Sequence, residues 1–97
     1  MIQALIVEFL GTLLLMYAVL ATGNWAAIGA ALGIAVLLGG KISGGAFNPA
    51  VAVGMYASGK LNKSELVPYM IVEILGALAA FYLYKNYVNK SGGKKGK

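Results

Sequence analysis

The 97-residue chain contains no cysteine, no histidine and no arginine. Without cysteine it has no disulfide, and without histidine it lacks the side chain that serves most often as a general base or metal ligand. The remaining residues offer no nucleophile–base pair and no metal-binding cluster, so we expect neither an enzyme nor a cofactor. Charged residues are also scarce, at 11% of the chain against about 25% in soluble domains.

Apolar residues dominate what is present. They make up 60% of the chain, and the mean hydropathy is +0.79. This composition predicts an integral, multi-pass membrane protein whose surroundings are the lipid bilayer. The net charge of +5 results from eight lysines and three glutamates. They are not interleaved with aromatic residues on one face, which argues against nucleic-acid binding and favours contact with anionic lipid headgroups.

Three apolar segments predict three membrane spans. The first covers about residues 4–21 and the second about residues 26–38, and the third runs from the capping pair Asn62 and Glu65 to the aromatic stretch 81–87. Residues 90–97 are serine, glycine and lysine only. We therefore expect one folded unit over residues 1–88 and a disordered tail, rich in lysine and glycine, over residues 89–97.

Between the second and third spans lies a polar, glycine-rich break, Ser43-Gly44-Gly45-Ala46-Phe47-Asn48-Pro49. Asn48 is a good helix N-cap and Pro49 a good first helical residue, and an apolar run follows over residues 50–57. This pattern predicts a helix about 15 Å long, about half the apolar thickness of a bilayer. The predicted fold class is thus an all-α membrane protein with three transmembrane helices and one re-entrant half-helix.

The break and two flanking segments resemble signatures of the aquaporin and aquaglyceroporin (major intrinsic protein) family. Residues 43–51 are similar to the family's first Asn-Pro-Ala (NPA) box. Glu8-Phe9-Leu10-Gly11-Thr12 resembles part of its first helix, and Pro68-Tyr69 through Glu73-Ile74-Leu75-Gly76-Ala77 resembles part of its third. The resemblance covers about residues 4–85, with the three signatures in the family's order and spacing.

The resemblance implies a channel built from two such units in inverted orientation, of which this chain supplies one. The simplest partner is an inverted second copy, and four such pores together, as in the family, would contain eight chains. Three spans place the termini on opposite sides of the membrane. Lysines 41, 60 and 63 then lie on one side and lysines 85, 90, 94, 95 and 97 on the other. This weak positive-inside bias allows insertion in both orientations.

The resemblance also assigns site residues. Asn48 would orient the permeant at the pore centre, and the backbone carbonyls of Gly44, Gly45, Ala46 and Phe47, in an extended segment, would line the pore. Glu8 and Glu73, two carboxyls inside apolar spans, would anchor the re-entrant loop, although the family usually has glutamine at the position of Glu73. Gly11 and Gly76 are predicted at close helix crossings.

The constriction predicted by the resemblance is apolar and small. It comprises Ile28, Val36, Gly45 and Val51. The family's second NPA box normally ends in an arginine, and Val51 stands at the matching position here. We therefore expect passive permeation of water and of small neutral solutes such as glycerol.

Two alternatives remain open at this point. The chain could pair with a different, arginine-bearing half. It could instead be a small dual-topology, proton-coupled transporter or a holin-like membrane protein in which Glu8 or Glu73 carries the proton.

Overall fold

The computed structural model describes residues 1–90, which form four α-helices. Helix α1 spans Ile2–Thr22, α2 spans Trp25–Ser43, α3 spans Pro49–Ala57 and α4 spans Lys63–Lys90. Helices α1, α2 and α4 are each long and apolar enough to cross a membrane, whereas α3 has nine residues. The predicted fold class, three spanning helices and one half-helix, is confirmed. Helix α4 includes residues 89 and 90, and the rest of the predicted tail lies outside the described residues.

Helix α1 lies at the centre of the bundle. It packs against both α2 and α4, and α3 packs against α4. A small buried cluster joins the re-entrant segment to these helices; its members are Ala4, Ala46, Ala52, Leu61 and Tyr69. Only 22% of the most apolar window of each spanning helix is buried. Most apolar side chains therefore face outward, where lipid or another protein subunit must cover them.

Local capping explains where the helices begin and end. Gly23 ends α1 in the left-handed conformation, with φ 55°. The side chain of Asn24 then starts α2 by accepting hydrogen bonds from the N–H groups of Ala26 and Ala27. At the start of α4, the Glu65 carboxylate accepts a hydrogen bond from the Asn62 N–H at 3.0 Å, as the predicted capping pair requires.

Helix α2 is longer than predicted. The sequence suggested an end near Leu38 because Gly39 and Gly40 follow, but the helix continues through both glycines to Ser43. A Cβ at Gly39 would collide with Val7 of α1. Gly39 therefore allows α2 to approach α1 closely, and the helix ends at Ser43 because the next residue, Gly44, takes a left-handed conformation.

Candidate functional site

A buried carboxylate on α1 binds the re-entrant loop. The Glu8 side chain has no solvent-exposed area. It accepts hydrogen bonds from the Ser43 hydroxyl at 2.7 Å, the Ala46 N–H at 3.1 Å and the Phe47 N–H at 2.7 Å. Three such bonds fix the loop between α2 and α3 to the middle of the bundle.

The loop itself is not extended, so the predicted extended conformation of residues 44–47 is wrong. Gly44 and Gly45 have φ values of 89° and 74°, and Phe47 has φ 53°. The chain must reverse direction within four residues to re-enter the bundle, and left-handed residues make that reversal. The Ser43 hydroxyl supports it by accepting a hydrogen bond from the Gly45 N–H at 3.1 Å. Left-handed backbone at a phenylalanine is strained, and this strain is offset by its bond to Glu8.

The Phe47 side chain is buried, with 1% of its surface exposed. Its ring lies over Gly11, where a Cβ would collide with three ring atoms, and its tip is near Gly39. Gly11 was predicted at a close helix crossing, but the structure places it under this ring. Phe47 therefore contributes to the packing of the bundle through its side chain.

Gly76 lies where α4 crosses α1. A Cβ there would collide with the carbonyl oxygen of Phe9 and would lie 3.2 Å from the Cβ of Thr12. The two helix backbones approach closely at this position because Gly76 has no side chain. This crossing brings the neighbouring turn of α4, which carries Glu73, against α1.

Asn48 begins α3 and is exposed to the open face of the bundle. Its side-chain oxygen Oδ1 accepts a hydrogen bond from the Ala50 N–H at 2.8 Å, and Pro49 occupies the first turn. Because Oδ1 accepts the cap hydrogen bond, the side-chain amide Nδ2 is the group of Asn48 that can act as a hydrogen-bond donor. The N-terminus of α3 adds its own partial positive charge at the same place.

A groove of about 530 Å³ opens beside Asn48. Its walls come from the second half of α1, the middle of α4, the start of α2 and the beginning of α3. The lining residues include Ile28, Phe47, Asn48 and Pro49, with Thr12, Leu15, Met16, Val19, Glu73, Ile74, Ala77 and Leu78. Asn48, Thr12 and Glu73 are the only polar side chains in this predominantly apolar lining.

The structure brings together some of the predicted constriction residues. The side chain of Val36 lies 3.5 Å from the position that a Cβ on Gly45 would occupy. Val36 and Val51 are each 44% exposed. Ile28 lies eight residues before Val36 on α2, about 12 Å along the helix, and lines the groove instead. One chain thus does not gather all four predicted residues at one level.

Glu73 is buried without a hydrogen-bond donor. Its side chain has no exposed area, and neither carboxyl oxygen has a hydrogen-bond partner within residues 1–90. The hydroxyl of Thr12, on the facing turn of α1, is likewise buried and unpaired. The backbone N–H of Asn48, at the end of the re-entrant loop, lies beside the Glu73 carboxyl, and the role of Glu73 as a loop anchor stays a prediction.

A family model described as major intrinsic protein matches residues 1–96 of the chain. The chain belongs to the major intrinsic protein family. With its three apolar helices it is an integral membrane protein.

Three curated members of the family show how much of a relative the chain covers. It is 37% identical to "Glycerol uptake facilitator protein-like 6" of Lactiplantibacillus plantarum over 88% of the chain and 44% of that protein. It is 37% identical to "Aquaporin Z" of Brucella melitensis over 95% of the chain and 46% of that protein. It is 39% identical to "Aquaporin AqpM" of Methanothermobacter thermautotrophicus over 64% of the chain and 27% of that protein. The chain thus spans less than half of each relative. No solved structure matches it.

In this member of the major intrinsic protein family, the re-entrant loop has a second attachment that was not predicted from the sequence. The hydroxyl of Tyr69, on α4, donates a hydrogen bond to the carbonyl of Ser43 at 2.7 Å, and its side chain is 2% exposed. Ser43 is thereby held from two helices, by Glu8 of α1 and Tyr69 of α4. A tyrosine twelve residues before the aromatic stretch 81–87, inside an apolar span, was the signal that could have indicated this contact.

Proposed function

We propose that this chain forms half of a membrane channel that passes water and small neutral solutes such as glycerol. The single observation that carries the proposal is the half-helix α3, which starts with an exposed Asn48 in the wall of a groove within a three-span bundle. Family membership supports the channel function, because its curated relatives are named as aquaporins and a glycerol uptake facilitator. The permeant class is carried over from them and from the chemistry below.

The donors at the start of α3 suit a polar, uncharged permeant. The Asn48 amide and the N-terminal N–H groups of α3 all donate hydrogen bonds, so a water or hydroxyl oxygen can accept there. Two such half-helices meeting end to end would hold one water by two donors, which hinders proton transfer along a file of waters. The positive ends of the helix dipoles would also repel cations.

The loop before α3 would supply acceptors. Gly44 and Gly45 have no side chains to obstruct a lumen, and the side chains of Ala46 and Phe47 are buried. Their backbone carbonyls are thus the groups that a permeant would meet. The proposal assigns these four carbonyls to the pore wall, as acceptors complementary to the Asn48 donors.

The second half of the pore would be another copy in inverted orientation. The groove beside Asn48 is open within residues 1–90, and most apolar side chains of the spanning helices face outward. If the second copy is turned upside down in the membrane about the depth midway between Ile28 and Val36, Ile28 of one copy lies at the same depth as Val36 of the other. Each mouth would then combine Ile28 from one copy with Val36, Gly45 and Val51 from the other, which explains why one chain does not gather them.

Such a mouth would be apolar and lack a fixed positive charge, because Val51 occupies the position predicted for arginine. A strict water channel needs a narrow, polar constriction, whereas an apolar mouth lined by valine, isoleucine and glycine fits the carbon backbone of a small polyol. The proposal therefore includes glycerol-sized solutes. The higher assembly that we propose is four such pores, or eight chains.

Osmotic swelling of proteoliposomes tests the proposal. Vesicles containing the purified chain alone should swell faster than protein-free vesicles in both a water and a glycerol assay, with a lowered activation energy for water flow. Vesicles containing Pro49→Leu at the same protein density provide a matched control, since that change disturbs the start of α3 and leaves the spans unchanged. Swelling equal to that of protein-free vesicles would contradict a pore made by this chain alone.

A heteromeric pore is the second candidate, and the absence of arginine favours it. A partner half that carries arginine would complete the family's usual constriction, which two copies of this chain cannot do. A second polypeptide that co-purifies at equal stoichiometry, together with swelling activity only in its presence, would establish this arrangement in place of the homodimer.

A further inference from the structure

Two buried carboxyls face each other where α1 meets α4. Glu8 and Glu73 both have no exposed side-chain area, and the close crossing at Gly76 holds their helices together. The neighbours of the Glu73 carboxyl include the Glu8 carboxyl and the backbone N–H of Asn48. Two ionised carboxylates so close together and out of water would repel each other strongly.

No basic side chain within residues 1–90 neutralises this pair. The chain has no arginine, and all five lysines within residues 1–90, at positions 41, 60, 63, 85 and 90, are exposed. The other polar groups around the pair are the Ser43 hydroxyl, the Thr12 hydroxyl and, one turn before Glu73 on α4, the Tyr69 hydroxyl. None of these carries a positive charge.

The two carboxyls differ in what they bind. Glu8 accepts three hydrogen bonds from the loop, two of them from backbone N–H groups. Those donors stabilise an ionised acceptor. Glu73 accepts no hydrogen bond at either oxygen within the described part of the chain, and the nearby backbone N–H of Asn48 is the one group named beside it that favours a charge on it. A buried polar atom without a partner calls for a specific explanation.

We propose that Glu73 is a carboxylic acid in the folded protein and donates its proton in a hydrogen bond to the Glu8 carboxylate. The pair then carries one negative charge. Glu73 becomes the fourth donor to the carboxylate that holds the re-entrant loop, and its unpaired hydroxyl oxygen gains the partner that it otherwise lacks. The anchor of α3 thus contains a bound proton.

A monovalent cation between the two carboxylates is the competing occupant. The geometry disfavours it, because Glu8 already uses both oxygens for Ser43, Ala46 and Phe47, and residues 1–90 contain no group of three carboxylate, histidine or cysteine side chains that could hold a metal ion. A shared proton needs only one free lone pair on Glu8 and no further ligands.

Infrared spectroscopy of the purified protein in lipid bilayers tests the proposal. The chain has three acidic side chains, Glu8, Glu65 and Glu73, so glutamate labelled with carbon-13 at the side-chain carboxyl gives an assignable signal. At neutral pH we expect a carboxylic acid C=O band in the wild type, its complete loss in Glu73→Gln, and its retention in Glu65→Gln. Glu65→Gln is the matched control because Glu65 lies at the start of α4, away from the pair.

Stability measurements give the second readout. Glu73→Gln keeps a neutral side-chain donor toward Glu8 and should leave the thermal unfolding temperature nearly unchanged, whereas Glu73→Ala should lower it clearly. If Glu73→Gln fails to assemble, the protonation state of Glu73 is read from the carbon-13 NMR chemical shift of its assigned carboxyl group in the wild type. An acid-form shift supports the bound proton. A wild type without an acid signal, an acid signal that persists in Glu73→Gln, or an unfolding temperature that rises with sodium over choline would overturn it.

Discussion

Glu8 is the residue on which the position of the re-entrant loop depends. Its buried carboxylate accepts hydrogen bonds from the Ser43 hydroxyl and from the N–H groups of Ala46 and Phe47. Buried backbone N–H groups in a membrane protein have no water to replace a lost acceptor. A single side chain on α1 thereby satisfies the backbone of a segment almost 40 residues later.

Replacing Glu8 by leucine should destabilise the fold strongly. Leucine fills a similar volume but accepts no hydrogen bond, so two loop N–H groups and the Ser43 hydroxyl lose their acceptor, at about 1–3 kcal/mol for each unpaired group. Thermal unfolding in detergent, followed by circular dichroism, measures the loss. Tyr69→Phe removes one bond from the same loop and should cost only about 1 kcal/mol. Equal stability of Glu8→Leu and Tyr69→Phe would contradict the assigned role of Glu8.

Gly11 should tolerate no side chain. A methyl group there would meet the Phe47 ring, and overpacking of this kind costs about 1–3 kcal/mol. Gly54→Ala is the matched control, since a Cβ at that helical glycine meets nothing within 4 Å and alanine favours a helix by about 1 kcal/mol. We expect Gly11→Ala to lower the unfolding temperature and Gly54→Ala to maintain or raise it. The reverse order would mean that Phe47 does not pack on Gly11.

Some of these residues could be identified from sequence and others could not. Asn48 and Pro49 carry a local signal, because a cap followed by proline marks a helix start whatever surrounds it. Glu8 is conspicuous as a charge inside an apolar run. Phe47 and Tyr69 look like any other aromatic residue of a membrane protein. Their roles come from contacts with Gly11 and Ser43, which lie 36 and 26 residues away in sequence.

At the scale of elements, the half-helix α3 is the feature that separates this protein from a simple three-helix bundle. It has nine residues, is capped by its own Asn48, and rests on α4. Its length and start were predictable from the cap and the apolar run. The end of α2 was not, because a pair of glycines ends a helix in isolation but permits close packing when another helix lies opposite.

Val51, one turn into α3, is the position at which the proposed pore can be narrowed. Val51→Arg would add a long cationic side chain at each mouth of a homodimeric pore. We expect a lower ratio of glycerol to water permeability and stronger exclusion of cations, with water flow reduced but present. Swelling rates for water and glycerol, measured side by side on the wild type and the variant, check this. Val53→Arg, a similarly exposed valine on α3, serves as the control for added charge.

An unchanged ratio in Val51→Arg would show that Val51 does not line the pore. An equal change in both variants would show that the effect comes from charge on α3 in general, and the assignment of the constriction would then be wrong.

At the scale of the whole molecule, the chain is one structural unit in which the groove beside Asn48 is not covered by the rest of the bundle. Its spanning helices bury about a fifth of their most apolar windows, and no segment within residues 1–90 fills the groove beside Asn48. The family could be predicted from three ordered sequence signatures, and the membrane-spanning fold could be predicted from the long apolar runs. The assembly could not, because the residues that would meet across it belong to different chains.

The central claim is that inverted copies of this chain complete the pore, and the orientation of single chains in a membrane tests it most directly. The chain has no cysteine, so Lys60→Cys and Lys90→Cys each introduce one reactive thiol, the first in the turn before α4 and the second at the last residue of α4. In sealed vesicles that swell in the osmotic assay, a membrane-impermeant thiol reagent should label about half of each variant from outside, with the rest labelled after permeabilisation. Complete labelling of one variant and none of the other would mean a single orientation, and would contradict the antiparallel homodimer.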